Sequence, residues 1–290
     1  MSVQTLHYLA PVKIGTTNLG GITATDDPLQ NDIRDEPASG ELTARIQALV
    51  SQKLTPSFTT QDIAAALAAC GSVGVSLVTK PLKLYAQLGA DDGRRASGTV
   101  HRMFTYQHGL LLPESLDCNH RGDCSLSYRG LVTYDGAHDP VVISENQALP
   151  TISGTTLWTL ASVTLAGVPI PQLQNVRISF GIKAEGEGAD SDIWDTKPSV
   201  SAIQPVISVT GSKSSALLAL LGATGNTSIV FRERADGGTF SSHTLTLSGS
   251  GMANFTNLFK AATGKPGDVT LEARLKYDGV NNPIVVTQNW

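Results

Sequence analysis

The chain has 290 residues, 41% of them hydrophobic and only 16% charged, with a formal net charge of −4. The charged share is below the ~25% of ordinary globular proteins, which fits a surface largely covered by partners. The acidic balance excludes an electrostatically driven nucleic-acid binder, which carries a basic stripe; it suits a conduit whose wall repels phosphate.

From the N-terminus, Met1–Ala10 lacks the charged start and long apolar run of a signal peptide. No apolar run reaches the ~20 residues of a membrane span; Ile63–Cys70 and Ala216–Leu221 are the longest candidates. A soluble chain made in the cytoplasm, with no membrane partner, is expected. Thr25–Ser39 reads as a long acidic loop with Ile33 as an apolar anchor. Gly40–Ser51 places Leu42, Ile46, Leu49 and Val50 on one helical face. A second helix is expected over Asp62–Cys70, ending at Gly71, and strands over Val73–Val78, Gly98–Tyr106 and Ser125–Thr133. Further strands follow at Leu157–Leu165, Val176–Ile182, Ile203–Thr210, Thr227–Phe231 and Thr244–Leu247. Ala184–Lys197 is a second acidic loop, with Ile193 and Trp194 as its anchors. Helices are predicted near Ser214–Leu221 and Met252–Ala262, with Gly222 and Gly264 as their C-terminal glycines. Turns are marked by Asp92-Gly93, Asp135-Gly136, Asp236-Gly237-Gly238 and Asp278-Gly279.

Anchors recur along the chain in one order, the signature of an internal repeat. Leu9-Ala10-Pro11-Val12-Lys13-Ile14 parallels Leu160-Ala161-Ser162-Val163-Thr164-Leu165 at an offset of 151. Asp32-Ile33-Arg34-Asp35 parallels Asp192-Ile193-Trp194-Asp195, each in an acidic stretch and followed by a proline. Pro56, a strand, a helix and Gly71 parallel Pro205, a strand, a helix and Gly222. Tyr134-Asp135-Gly136 through Ser144 parallels Tyr277-Asp278-Gly279 through Thr287 at an offset of 143. Two related units, 1–150 and 151–290, are expected. Each is a mainly β sandwich or small barrel with one or two short flanking helices. Such sheets leave edge strands, which template pairing with another chain.

No enzyme motif survives inspection, and no catalytic, cofactor-binding or metal residues are expected. Ser248-Gly249-Ser250-Gly251 has the wrong spacing for a nucleophile elbow, and Gly211-Ser212-Lys213-Ser214 lacks the glycines of a phosphate loop. Three cysteines without a signal peptide point to free thiols, with Cys70 a small core residue. Cys118 to Cys124 lacks the second ligand pair of a structural zinc site. It reads best as a turn with two incidental thiols; a disulfide on exposure to air remains open. The Arg121-Gly122-Asp123 string inside it matches the integrin tripeptide, a very unspecific signal. None of the six histidines pairs with a nucleophile. His138-Asp139 is replaced by Asn281-Asn282 in the second copy, which points to a turn-forming role in both.

Several segments resemble the major tail tube proteins of long-tailed bacteriophages, especially those with two fused tube domains. They are Val12-Lys13-Ile14-Gly15, His108-Gly109-Leu110 through Leu116, and Ser125-Leu126-Ser127-Tyr128 leading into Tyr134-Asp135-Gly136. In the second half they are Gly167-Val168-Pro169-Ile170-Pro171 through Asp192-Ile193-Trp194. The resemblance implies a non-enzymatic virion protein, assembled in the host cytoplasm into stacked rings. Inner strands of those rings join into one barrel around a lumen for transiting DNA, which is not specifically bound. A fused pair would make each ring a trimer with pseudo-sixfold symmetry. Partners would be further copies of the chain and the tape measure, tail tip and terminator proteins. The family's long inter-strand loop reaches the next ring, so Ile33, Ile193 and Trp194 are the candidate ring-stacking residues. Another tail or adhesion module (tail tip, baseplate hub or receptor-binding protein) is the alternative.

Overall fold

The computed structural model describes residues 7–8, 11–37, 44–89, 96–151, 156–188, 192–212, 220–234, 240–260 and 268–290. Among them the chain is mainly β, with one α-helix. The first half holds β1 (His7–Tyr8), β2 (Val12–Ile14), β3 (Thr17–Leu19), β4 (Ile22–Asp26), β5 (Leu29–Pro37), β6 (Ala44–Leu54) and β7 (Ser57–Thr60). Then come α1 (Ile63–Cys70), β8 (Val75–Ser76), β9 (Leu82–Leu88), β10 (His101–Tyr106), β11 (Gly109–Asn119), β12 (Ser125–Val132) and β13 (Val142–Gln147). The second half holds β14 (Leu157–Leu165), β15 (Val168–Pro169), β16 (Leu173–Ser179), β17 (Ile182–Glu187), β18 (Lys197–Ile203) and β19 (Val206–Ser212). It ends with β20 (Thr224–Arg234), β21 (Phe240–Lys260), β22 (Asp268–Lys276) and β23 (Val285–Asn289).

A six-stranded sheet runs β13-β10-β9-β2-β3, with β1 also on β9. A thirteen-stranded sheet runs β15-β14-β20-β21-β22-β19-β16-β11-β12-β7-β4, with β23 on β21 and β8 on β11. The pairs β5-β6 and β17-β18 form separate two-stranded ribbons. Nearly every pairing of the first half has its counterpart in the second. The ladders β2-β3, β2-β9, β9-β10 and β10-β13 match β14-β15, β14-β20, β20-β21 and β21-β23. The ladders β11-β12, β12-β7, β7-β4 and β5-β6 match β21-β22, β22-β19, β19-β16 and β17-β18. Gly130 donates its N–H to the Pro56 carbonyl at 2.6 Å, as Leu275 does to Pro205 at 3.1 Å. The long strand β21 does the work of both β10 and β11, which are separated by Gln107 and His108.

Alternation places the core. In β12, Leu126 and Tyr128 point inward; in β20, Thr227, Ile229 and Phe231 do so. Val12, Ile14, Leu82 and Leu84 from the six-stranded sheet share one cluster with Phe58, Leu126 and Tyr128 from the larger sheet. The rings of Phe58 and Tyr128 stack at 5.2 Å between centroids. The alanine-rich helix α1 is apolar nearly all round and accordingly buried, closed at Gly71 with φ +69°.

Several sequence expectations need correction. The described part of Gly40–Ser51 is not a helix: residues 44–54 form β6, paired along β5, and 40–43 lie outside the described residues. The register slips at Ile33 against Leu49, skipping Val50, and such a bulge breaks strict alternation. Leu49 and Val50 side by side therefore read as a helical stripe. The same holds for Met252–Ala262, whose described part lies in β21, with register shifts on either side of Asn257. The first acidic loop is largely strand β5 of the β5-β6 ribbon, and the second contains the end of β17, the start of β18 and residues between them. A ribbon wetted on both faces carries no hydrophobic alternation to read. Val73–Val78 contributes only the two residues of β8. The helix expected at Ser214–Leu221 and the turns at Asp92-Gly93 and Asp236-Gly237-Gly238 fall wholly or mostly outside the described residues, as does Gly264. No sheet closes on itself among the described residues, so the barrel expectation does not hold within one chain.

Gly109 opens β11 with φ +114°, and a Cβ there would lie 1.9 Å from the Leu131 carbonyl oxygen. Gly136 is also left-handed, φ +86°, but faces open space. Gly109→Ala should lower the unfolding free energy in urea by at least about 1 kcal/mol, and by clearly more than Gly136→Ala.

Candidate assembly interface

Among the described residues one strand ladder runs between the two halves. Strand β11 pairs antiparallel with β16, from Ser115 against Ser179 to Asn119 against Asn175, and so joins the two halves into one sheet. Both strands alternate, burying Leu116 and Cys118 on one and Val176 and Ile178 on the other. The outward residues pair across the seam: Arg177 lies 3.6 Å from Asp117, and the Asn175 amide donates to Asn119 Oδ1 at 2.6 Å. The ladder is extended at both ends, by Phe180 N–H to the Glu114 carbonyl at 3.0 Å and His120 N–H to the Gln174 carbonyl at 2.7 Å. Farther off, Ser72 Oγ donates to the Ile284 carbonyl at 2.6 Å and the Gln288 amide to the Ala64 carbonyl at 2.9 Å.

The cysteine turn belongs to this seam. Cys118 and Cys124 are disulfide-bonded, in place of the two incidental thiols the sequence favoured. Cys70 is a buried free thiol, pushed up to about 12 by burial. Cys124 N–H bonds the Trp158 carbonyl at 2.9 Å. Arg234 reaches back across the seam, donating to the Arg121 carbonyl at 3.1 Å and lying 3.6 Å from Asp123 Oδ1. The Asp123 carboxylate thus lies toward an arginine of the second half.

The corresponding outer edges have no partner strand among the described residues. Strand β4 pairs with β7 alone. Beyond Ala253, β21 pairs with β22 alone. Their residues can be matched to the seam through the shared ladders. Ser57 faces Asp26 as Val206 faces Ser179, and Phe58 faces Thr25 as Ile207 faces Ile178. Ser127 faces Ser115 as Glu272 faces Asn254, and Leu126 faces Leu116 as Leu271 faces Phe255. Asp26 and Thr25 therefore stand where Ser179 and Ile178 stand, and Asn254 and Phe255 where Ser115 and Leu116 stand. Ile178 is fully buried under its neighbour, whereas Thr25 is exposed. Sequence reading missed both edges, although the spacing of the repeats carried the information.

The ribbons β5-β6 and β17-β18 hold the sequence-predicted interface residues. Ile33 is 58% exposed and sits opposite Leu49, at 40%, with Leu29 and Val50 also exposed on this ribbon. Ile193 and Trp194 lie in the turn of the second ribbon, which touches the first: Gln52 N–H bonds the Ile193 carbonyl at 2.7 Å. Trp194 is partly buried against the core and Ile193 is 44% exposed. The structure thus brings Ile193 and Trp194 to the base of the first ribbon, while Ile33 stands apart.

The repeated Tyr-Asp-Gly turns are built alike. Asp135 Oδ1 accepts the N–H groups of Ala137 and His138, and Asp278 Oδ1 those of Val280 and Asn281. In the first copy His138 Nδ1 lies 2.8 Å, and His108 Nε2 3.1 Å, from Asp135 Oδ2. In the second copy the Asn281 amide donates to Asp278 Oδ2 at 3.0 Å. Tyr134 N–H bonds the Asp195 carbonyl at 2.8 Å, tying the first turn to the second ribbon. The Asn281 amide, then the backbone N–H groups, lower the Asp278 carboxyl from 3.8 to about 2. Because the folded value lies below the ordinary one, its stabilisation is complete above pH ~4 and is lost as pH falls towards ~2. Wild type should melt higher than Asp278→Ala at pH 5, with the gap closing by pH 2; a gap independent of pH would show that the carboxylate charge is not involved.

A scan against protein-family models finds no match for the chain, and a search of curated proteins finds none either.

Proposed function

We propose that this chain is a structural, non-enzymatic protein that assembles into stacked rings, forming a tail tube through which phage DNA passes. In this reading residues 1–150 and 151–290 are tandem tube-like β-sandwich domains, and three chains close a pseudo-sixfold ring. The observation that carries it is the β11-β16 ladder. The chain already contains one strand ladder between its two related halves, and among the described residues the equivalent edges at β21 and β4 have no partner strand. A unit that pairs head to tail with its own second copy can repeat that contact with the next chain. Such heterologous contacts close into a ring when the rotation allows. Closure also removes the exposed edges, which otherwise invite aggregation.

The ribbons support the stacking half of the reading. An isolated two-stranded ribbon is marginally stable in water, and the first one exposes Leu29, Ile33, Leu49 and Val50. A neighbouring ring covering that apolar face would offset the deficit. Transiting DNA needs no binding site, which agrees with the net charge of −4.

The register makes the ring contact testable. Asn254 should face Asp26 of the next chain, as Ser115 faces Ser179 within the chain. Directly opposed residues have Cβ atoms ~4.5–5.5 Å apart, close enough for bridging after small adjustments. Asn254→Cys combined with Asp26→Cys should oxidise to covalent oligomers up to a closed trimer, while either single variant does not. A folded double variant that stays monomeric under oxidation would overturn the contact. Ile33→Asp with Leu49→Asp should leave rings intact by negative-stain microscopy but shorten or abolish tubes. Normal tubes would remove the first ribbon from the stacking role.

A further inference from the structure

The first Tyr-Asp-Gly turn carries chemistry that its second copy lacks. His108 Nε2, Asp135 Oδ2 and His138 Nδ1 converge, all within 4.8 Å of one another. The two imidazole rings are nearly parallel, 11° apart, with centroids at 5.9 Å. The side chains of His108 and Asp135 are 20% and 24% exposed and that of His138 66%, and Asp135 and His138 both lie at the surface. The other carboxylate oxygen of Asp135 is fixed by two backbone N–H groups, which aims Oδ2 at the histidines.

The second half shows that the turn needs neither histidine. Asn281 replaces His138 and closes the same turn onto Asp278. His108 belongs to the two-residue break, Gln107 and His108, that separates β10 from β11 and that β21 lacks. The turn is thus complete without histidines, and in the first copy both point at one carboxylate oxygen.

We propose that His108, Asp135 and His138 form a divalent transition-metal site, selective for zinc-like ions. Two neutral imidazoles and a carboxylate are a common donor set for this class, with metal–ligand distances of about 2.0–2.2 Å. A tetrahedral centre spaces its ligand atoms by roughly 3.4 Å at those bond lengths. The 2.8 Å and 3.1 Å separations seen here need widen by only a few tenths of an ångström. As the ion enters, the proton that each neutral ring directs at Asp135 moves through solvent to that ring's other nitrogen, freeing the lone pair at His108 Nε2 and His138 Nδ1. The backbone clamp on Asp135 orients the ligand, as outer-shell bonds do in metal sites. Three protein ligands leave a fourth position, open on the His138 side, for water or a neighbouring chain. The adjacent bond from Tyr134 to Asp195 places the ion beside the contact between the two halves.

The test is zinc titration by calorimetry on untagged, chelator-treated full-length chain, with His138→Asn and His108→Gln alongside. His138→Asn installs the residue that the second copy uses, so the turn is retained. Wild type should bind one zinc ion per chain and gain melting temperature with it. Each variant should bind at least about tenfold more weakly, with a metal-free melting temperature close to that of wild type. Cobalt should give a visible d–d spectrum in wild type that both variants lose. Absence of stoichiometric zinc binding by wild type, or equal affinity in all three proteins, would overturn the site.

Discussion

The antiparallel ladder between β11 and β16 is the contact on which the architecture turns. Its hydrogen bonds carry one sheet from the first half into the second. Without it β11 and β16 would each present a row of unpaired backbone groups, as β4 does. The side chains above the ladder explain its register. A slip by one residue would turn either Leu116 and Cys118 or Val176 and Ile178 out of the core and separate Asp117 from Arg177. The disulfide turn at Cys118–Cys124 and the reach of Arg234 onto it lock the open end of the seam.

A chain with this seam has a built-in asymmetry. The first half uses its β11 edge and leaves β4 open; the second uses β16 and leaves the end of β21 open. The open edges match the used ones at Thr25 and Asp26 and at Asn254 and Phe255, with a bulge beyond each pair. Thr25 in the place of Ile178 shows the consequence, a polar residue where the interior copy is buried and apolar. Under the proposed assembly that edge is exposed in the single chain and covered in the ring, and threonine suits both conditions.

Much of this was legible in the sequence, for physical reasons that can be named. The Tyr-Asp-Gly anchors were readable because an aspartate that accepts two backbone N–H groups followed by a left-handed glycine is a demanding local structure. Gly136 and Gly279 indeed have φ +86° and +95°. Leu157–Leu165 was readable because a half-buried strand alternates. The ribbons were not, since Ile33, Leu49 and Val50 lie on a structure wetted from both sides and bulged at its middle. The Cys118–Cys124 bond was left open, because spacing alone does not bring two sulfur atoms together; the hairpin between β11 and β12 does. The partnership of His108 with Asp135 was invisible, since 26 residues, most of them β11, β12 and their turn, intervene before the chain returns to it.

The central claim is that the outer edges repeat the inner seam in another molecule. Cryo-electron microscopy of the assembled protein tests it most directly. The account predicts threefold rings of two-lobed chains in which β4 of one chain lies alongside the end of β21 of the next, in the same antiparallel register. A particle that remains monomeric at high concentration, or one in which β4 meets β4 across a twofold axis, would contradict it.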